Sequence, residues 1–211
     1  MKGNNMTTYV EVDYTEENIG QVRDWLTGLQ NPTDVPYAFI LNKTDFPSGN
    51  ARRLAFFTAE AEAEGSIVTV KGTNLYGDDI EEVFEANTSK GSTLIGELFF
   101  KTVTSVVATG PNEGASWNNF VGVGMSNYAS KVIGGGQERA LKAYAFDGPS
   151  RRIEFHDAYS GPISDNSLKF VSPLNGSGAL HKIPCSGTLF VTGLTIVYEA
   201  DVLARLRIYY I

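Results

Sequence analysis

The sequence predicts a mainly β protein, built as two antiparallel β-sandwich or jelly-roll-like domains with one short N-terminal helix. Glycine supplies 22 of the 211 residues, only 19% of the residues are charged, and the chain has 12 Phe and 10 Tyr. This composition favours strands and tight turns over long helices. In the second half, turn residues separate short apolar runs at a spacing of roughly 8–12 residues, which is typical of a sandwich or barrel.

One segment near the start of the chain has a helical pattern. We expect a helix near residues 15–29, with Thr15 as its N-cap and Pro32 beyond its end. Ile19 and Val22 begin an apolar face at helical spacing.

In the rest of the first half, turn residues separate short apolar runs, as is typical of a β protein. The runs SIVTVKGT and IEEVFEAN flank NLYGDD, which predicts a hairpin with a longer loop. YAFILNK and NARRLAFFTAEAE are two further apolar runs, and GASWNNFVGVGMSN indicates another strand. ELFFKTVTSVVATG is predicted to form one long strand. Phe100, Val103 and Val106 compete for facing in it, because side chains alternate with a period of two and these residues are three apart.

A domain boundary is expected at the glycine run. Three consecutive glycines, residues 134–136, predict a flexible linker between a domain of residues 1–133 and a smaller domain of residues 137–211. The second domain should hold about six strands. TLFVTGLTIVYE and VLARLRIYYI are expected to pair as its last hairpin, turning through residues 199–201.

The given sequence finishes on the apolar run RLRIYYI, residues 205–211. An unpaired apolar strand invites other strands to pair with it. We therefore expect this strand to be internal to its sheet or covered by another subunit, and deletion of Tyr209, Tyr210 and Ile211 to destabilise the domain or abolish assembly.

Charge and composition exclude several classes of protein. A formal net charge of −7 argues against nucleic-acid binding, and the Arg52-Arg53 and Arg151-Arg152 pairs are expected to be solvated loop charges. No stretch approaches the apolar length of a membrane span, and the opening residues lack a signal-peptide pattern, so synthesis in a reducing cytosol is expected. With Cys185 as the only cysteine, a thiolate metal cluster and an intrachain disulfide are excluded.

Few residues indicate catalysis or a cofactor. His156 and His181 have no ligand spacing, and no GxSxG elbow supplies a nucleophile. A hydrolase using Glu154, His156 and Asp157 is therefore the weakest hypothesis, and an ordinary hydrogen-bonded histidine is preferred. We expect no catalytic residue and no cofactor.

Two weaker binding hypotheses remain. Asp78 and Asp79 are weak candidates for a Ca²⁺ site, but the EF-hand order is absent and a solvated turn is preferred. A carbohydrate-binding module is the second hypothesis, because tyrosines and Trp117 could stack on sugars. The tyrosines considered are Tyr9, Tyr14, Tyr37, Tyr76, Tyr128, Tyr144, Tyr159 and Tyr198.

Two regions of the chain resemble structural proteins of tailed bacteriophages. In VTVKGTNLYGDDIEEVFEAN…ELFFKTVTSVVATG the matching residues are Gly72, Thr73, Gly77, Glu81, Glu82 and residues 100–106. The region from AYAFDGPSRRIEFHDA to the end resembles small β domains of phage heads and tails, with Gly187, Phe190, Gly193 and Leu194 matching the pattern before the last hairpin.

The resemblance implies a non-enzymatic virion component present in many copies, made in the host cytoplasm. Its implied partners are the major capsid protein or neighbouring neck or tail proteins, and other copies of itself in a homo-oligomer of closed symmetry, often threefold. Capsid decoration is the leading hypothesis and a neck or tail subunit the alternative. The residues expected to carry assembly or strand pairing are Phe100, Val103, Val106, Phe190, Leu194, Tyr209, Tyr210 and Ile211.

Overall fold

In the part of the chain that the structure describes, the regular structure consists of β-strands. The structure, a computed structural model, describes residues 8–13, 22, 25–47, 50–58, 67–85, 93–109, 121–133, 137–147, 152–158, 163, 167–172, 180–182, 188–199 and 205–211. In chain order the strands are β1 (Thr8–Asp13), β2 (Tyr37–Ala38), β3 (Ala51–Thr58), β4 (Ile67–Thr73), β5 (Asp79–Glu85), β6 (Thr93–Phe100), β7 (Thr102–Thr109), β8 (Val121–Ile133), β9 (Arg139–Asp147), β10 (Ile153–Asp157), β11 (Leu168–Val171), β12 (Leu180–Lys182), β13 (Thr188–Phe190), β14 (Leu194–Glu199) and β15 (Arg205–Tyr210). The prediction of a mainly β protein with antiparallel sheets is confirmed.

The described part of the predicted helix is not helical. Val22 and Gln30 form isolated antiparallel bridges to β8 instead. Gly28 has a φ of +65°, a left-handed conformation that interrupts a right-handed helix. Pairing with a neighbouring strand has overridden the local pattern in this part, while residues 15–21 and 23–24 of the predicted helix lie outside the described residues.

The chain divides into two compact units. The first unit comprises residues 1–20 and 130–211, and the second unit comprises residues 21–129, so the division falls within β8. The predicted linker, residues 134–136, lies outside the described residues. The first unit thus combines β1 with the strands that follow β8.

Two sheets form the second unit. One has the strand order β2–β7–β4–β5, and the other contains β8–β3–β6. The predicted hairpin is confirmed, because β4 and β5 pair along their whole length from Ile67↔Glu85 to Thr73↔Asp79. Phe56 of β3 contacts Phe84 of β5, with ring centroids 5.8 Å apart, in the buried core of this unit.

The stretch predicted as one long strand is two strands in different sheets. Only Lys101 separates β6 from β7, and its backbone N–H donates to the carbonyl of Thr73 at 2.7 Å. A β-carbon on Gly72 would overlap the carbonyl oxygen of Thr102. Only glycine therefore fits at this position of β4, which lies against the junction of β6 and β7.

The Arg52-Arg53 pair lies in β3, so the prediction of solvated loop charges is wrong for this pair. Arg52 is fully buried, and its Nη1 donates to the carbonyl of Ser126 at 3.2 Å. The Arg53 guanidinium lies 5.0 Å from the ring centre of Phe99 and 5.4 Å from that of Tyr128. Aromatic faces thus accommodate a cation that the sequence pattern alone placed in water.

The first unit also contains two groups of paired strands. One sheet has the order β1–β15–β9–β12, with β13 also paired with β9, and the other group is β11–β10–β14. Tyr144 of β9 contacts Phe155 of β10 at 5.4 Å and Phe170 of β11 at 5.8 Å between ring centroids. Tyr144 and Phe155 are buried in the core of this unit, and Phe170 is half-buried beside them.

The predicted hairpin between β14 and β15 is wrong. β14 pairs with β10, whereas β15 lies between β1 and β9. Pairing with strands distant in sequence has outweighed adjacency along the chain. The burial of the two strands differs accordingly, since five consecutive residues of β14 are buried, while residues 207–210 of β15 alternate between half-buried and buried. The prediction that the last strand is internal to its sheet is confirmed, with different neighbours from those expected.

Candidate functional site

Most of the residues predicted for assembly are buried within their own unit. The exposed fractions are 0% for Phe100, Val103, Phe190 and Leu194, 1% for Val106, 5% for Tyr210 and 42% for Ile211, and Tyr209 is half-buried. All except Ile211 lie in strands. The apolar side chains that are open to a partner are therefore mostly other residues.

A β-bulge settles which side chains of β7 face the core. The pairing of β4 with β7 shifts register between Lys71 and Gly72, which leaves Thr104 as an extra residue in β7. Val103 and Val106, three residues apart, would face opposite sides of a regular strand. The extra residue returns both to the buried side.

The outer face of the four-stranded sheet carries exposed apolar side chains. The register places Val83, Thr69, Val107 and Ala38 in one row across β5, β4, β7 and β2. Val83 is 55% exposed, and Ile67 in the adjacent row is 36% exposed. We call these five residues the outer sheet face.

Strand alternation produces this face. Residues of β4 alternate between the core and the outer side, so that the valines point inward while Ile67 and Thr69 point outward. Next to the outer sheet face, Lys71 Nζ and Glu81 Oε2 form an exposed ion pair at 2.9 Å. Glu85, opposite Ile67, is also exposed. The five residues of the outer sheet face are thus uncharged, four of them are β-branched, and charged residues border them.

Asp78 closes the turn of the β4–β5 hairpin. The buried Asn74 accepts the backbone N–H groups of Tyr76 at 2.8 Å and Asp78 at 3.0 Å, and its amide donates to Asp78 Oδ2 at 3.1 Å. Asp79 is the first residue of β5 and pairs with Thr73. Among the described residues, no group of three or more His, Cys, Asp or Glu side chains is placed to hold a metal ion.

A hydrogen-bonded chain surrounds His156. Its Nδ1 lies 2.9 Å from Ser167 Oγ, and its Nε2 lies 3.0 Å from Glu154 Oε2. Arg152 Nη2 holds the other oxygen of Glu154 at 2.8 Å. The structure thus brings two of the three candidate hydrolase residues together with a serine that the sequence did not indicate.

Burial favours a structural role for this chain of contacts. The His156 side chain is 3% exposed, so a substrate has little access to the imidazole. Serine, histidine and carboxylate in line are the groups of a catalytic triad. Here they connect β10 to the residue that precedes β11, and the register of these strands shifts at the same place, between Phe155 and His156. We interpret the contacts as a clamp between neighbouring strands.

Asp157 does not join the His156 contacts. Its Oδ1 accepts the backbone N–H groups of Thr192 at 2.7 Å and Gly193 at 3.3 Å, and Lys169 Nζ lies 3.6 Å from Oδ2. Burial alone would raise the pKa of Asp157, but these backbone N–H groups, that of Val191 and the Lys169 ammonium outweigh it and hold the pKa below its usual value. Asp157 therefore anchors the turn between β13 and β14.

Glu82 joins the edges of two sheets of the second unit. It lies on the inner side of β5, and its Oε1 accepts the backbone N–H groups of Glu97 at 2.5 Å and Leu98 at 3.2 Å on β6. Its Oε2 is buried without a hydrogen-bond partner among the described residues. β6 is an edge strand that pairs with β3. The Glu82 carboxylate thus accepts hydrogen bonds from backbone donors of this edge strand.

Two of the tyrosines considered for sugar binding lie in the core, and a third packs against a phenylalanine. Tyr144 and Tyr198 are buried, at 2% and 3% exposed, and Tyr37 packs edge-on against Phe39. Trp117, Tyr14 and Tyr159 lie outside the described residues. These placements supply no observation in favour of a carbohydrate site.

Sequence reasoning missed Ser167 and Gly96. Ser167 is separated from His156 by eleven positions, a spacing that matches no catalytic motif. Gly96 offered a signal, because a glycine inside a strand pattern often marks a close approach of another group. In the structure that group is the carboxyl of Glu82.

Comparison with models of protein families and with curated proteins gives no match to this chain. Within the described ranges, no helix has the length and apolar character required to cross a membrane.

Proposed function

We propose that this protein is a non-enzymatic virion structural protein, a capsid decoration or cement protein that stabilises a phage head. The outer sheet face is the observation that carries the proposal, because it offers a regular row of uncharged side chains, bordered by charged residues, for protein contact. The resemblance of the β4–β7 region to phage structural proteins supports the same role. The proposed partners are the major capsid protein and other copies of this chain.

The chemistry of the outer sheet face suits binding. Valine, isoleucine and threonine are branched at the β-carbon and have few side-chain rotamers. Immobilising them at an interface therefore costs less conformational entropy than ordering long flexible side chains. Each interface of a decoration protein can be modest, since attachment to a lattice through several contacts raises overall retention.

Imaging of labelled protein in virions tests the proposal. Gold-labelled copies should cover the whole head if the protein decorates the capsid. Label confined to one vertex would instead support the alternative, a neck or tail subunit. Absence of label from both places, together with a purified protein that does not bind expanded capsids, would contradict both assignments.

A surface variant tests the role of the outer sheet face. We expect Val83→Lys to weaken capsid binding, because it places a charge in the exposed apolar row. Leu189→Lys is the matched control, since Leu189 is also exposed, at 48%, but belongs to the first unit. Equal loss of binding in both variants would show that the outer sheet face is not the specific contact.

We also propose that each unit is a β-sandwich, with a jelly-roll-like arrangement of strands. The contacts of Phe56 with Phe84, and of Tyr144 with Phe155, support facing sheets in the second and first units respectively. Backbone amides in the central strand β4 should then exchange with solvent more slowly than those of the edge strand β11. Equal exchange rates in both strands would contradict the proposal.

A further inference from the structure

β1 and β15 form an antiparallel ladder with complementary sequences. Six residue pairs join the two strands, from Thr8↔Tyr210 to Asp13↔Arg205. Within the ladder, Glu11 lies opposite Arg207. Both acidic residues of β1 are thus paired in register with both arginines of β15.

Two further register positions place apolar residues opposite each other. Val10 lies opposite Ile208, and Val12 lies opposite Leu206. Opposite-charge pairs and pairs of β-branched or aromatic residues at facing positions each stabilise a sheet by roughly 0.2–1 kcal/mol. In this register, residues of opposite charge and apolar residues therefore face each other along the ladder.

β1 is also joined to the rest of its unit in an unusual way. β1 belongs to the first unit, but the chain that follows it enters the second unit at residue 21. Residues 14–21 connect β1 to the first described residue of the second unit, Val22. Eight residues span at most roughly 26 Å, which is several times the spacing of neighbouring strands.

We propose that β1 is an exchangeable strand, which pairs with β15 of a second copy when the protein assembles. Because β15 pairs with β9 on its other side, removing β1 leaves one open edge that accepts one strand of this sequence. The partner is therefore the β1 strand of a second copy of this chain. The inference rests on the proposed function only in that the protein acts in many copies.

Exchange preserves the contacts of each chain. Every copy donates one β1 and accepts another, so the number of strand pairs per chain is the same in the exchanged and closed forms. The closed form is favoured at low concentration because its β1 is tethered beside its own β15. Contacts between copies held together on a lattice would shift the balance towards exchange.

A charge-swap experiment tests the exchange. One variant carries Glu11→Lys and Asp13→Lys, and the other carries Arg205→Glu and Arg207→Glu. Each variant alone places like charges opposite each other, whether β1 pairs with its own chain or with an identical copy. Both ladders become complementary only when the two variants exchange strands with each other.

The expected result is a shift to a one-to-one complex of the two variants, detected by native mass spectrometry. Mixing the Glu11→Lys, Asp13→Lys variant with unaltered protein is the control, and it should give no such complex, since one ladder of that pair keeps its like charges. Two separate species in the variant mixture would overturn the inference, provided that both variants fold.

A cysteine experiment decides the question without changing any charge. In a Cys185→Ser background, chains carrying Tyr9→Cys are mixed with chains carrying Tyr209→Cys, because Tyr9 and Tyr209 are register partners. We expect oxidation at high protein concentration to give a covalent dimer containing one chain of each kind. Tyr9→Cys mixed with Leu189→Cys is the control, since Leu189 lies in β13, which pairs with β9.

The yield of mixed dimer decides the outcome. A yield no higher than that of the control would overturn the exchange. The proposed function fails separately, through missing label on heads and tails, and label on heads without any mixed dimer would overturn only the exchange.

Discussion

The carboxyl of Glu82 occupies the space that a β-carbon on Gly96 would need. That β-carbon would lie 2.7 Å from Cδ of Glu82, closer than atoms in proteins normally approach. Glycine at this position therefore allows the carboxylate to reach the backbone N–H groups of Glu97 and Leu98. The contact joins β5 to β6, which belong to different sheets of the second unit.

Gly96→Ala should destabilise the second unit through this contact. The added methyl group forces Glu82 away from β6, and overpacking of this kind costs about 1–3 kcal/mol. Glu82→Ala removes the obstacle, so that adding Gly96→Ala to it should change the free energy of unfolding much less. Urea denaturation of the two single variants and the double variant measures the coupling energy.

Gly77→Ala is the control for the backbone effect of the substitution. A β-carbon there meets no atom within 4 Å, but φ is +91°, so its cost comes from backbone strain alone. Glu82→Ala should not reduce that cost. Equal coupling of Glu82 to both glycines would contradict the assigned contact.

Glu82 should also make stability depend on pH. Burial raises the pKa of Glu82 and the nearby Glu97 raises it further, although the backbone N–H groups of Glu97 and Leu98 and the Arg53 guanidinium act in the opposite direction. A group with a raised pKa binds its proton more tightly in the folded state. Its contribution to the free energy of unfolding therefore increases as pH falls through the folded pKa and levels off below the usual value of 4.5.

Glu82→Gln should remove this part of the pH dependence, since the amide does not titrate. The difference in unfolding free energy between the natural chain and the variant should change in favour of the natural chain from pH 7 to pH 5. Glu85→Gln, at an exposed position of the same strand, serves as the control. A pH dependence identical in the natural chain and Glu82→Gln would contradict the prediction.

Asp157 should act in the opposite direction. Its pKa is lowered in the folded state, so its stabilising contribution is complete above the usual value of 3.8 and is lost as pH falls through the lower folded value. Asp157→Asn should reduce the free energy of unfolding by about 1–2 kcal/mol at pH 7, because two backbone N–H groups lose a charged acceptor.

Denaturation at pH 7 and pH 3 measures this effect. The difference between the natural chain and Asp157→Asn should shrink at the lower pH. Asp34→Asn is a suitable control, since Asp34 is exposed and asparagine tolerates its φ of +59°. A difference that stays constant across this range would contradict the assigned role of Asp157.

Ser167→Ala tests the clamp around His156. Loss of the Ser167 hydroxyl leaves a buried imidazole nitrogen without this partner, and we expect a cost of about 1 kcal/mol. Ser105→Ala, at a half-buried strand position, is the control and should change stability by less than about 0.5 kcal/mol. An organophosphate reagent that labels serine nucleophiles should leave Ser167 unmodified, and labelling there would refute the structural interpretation.

Local sequence determined the features that could be predicted. The β4–β5 hairpin was predictable because its turn residues and both alternating strands are contiguous in the chain. The strand partner of β15 was not predictable, since β15 pairs with β1, nearly 200 residues away, rather than with the adjacent β14. The helical pattern that includes Val22 failed because pairing with β8 decides the conformation of its described part.

The candidate sites show the same limit. Alternation in β4 could have indicated an outward Ile67 and Thr69, but only the register of four strands brings Val83, Val107 and Ala38 into the same row. The contact of His156 with Ser167 depends on a register shift between β10 and β11, which no local pattern encodes.

Deletion of residues 209–211 should destabilise the first unit. It removes the buried Tyr210, whose side chain alone contributes about 1.5–3 kcal/mol if it behaves like other large apolar side chains. It also removes the two backbone hydrogen bonds between Ile211 and Ala140, at 2.9 and 3.2 Å. Thermal unfolding should therefore begin at a clearly lower temperature.

Ile211→Thr is the control, because the Ile211 side chain is 42% exposed and the backbone hydrogen bonds of this residue remain. The melting temperature of this variant should stay close to that of the natural chain. A truncated chain that melts at the same temperature as Ile211→Thr would show that β15 needs neither residue for its place between β1 and β9.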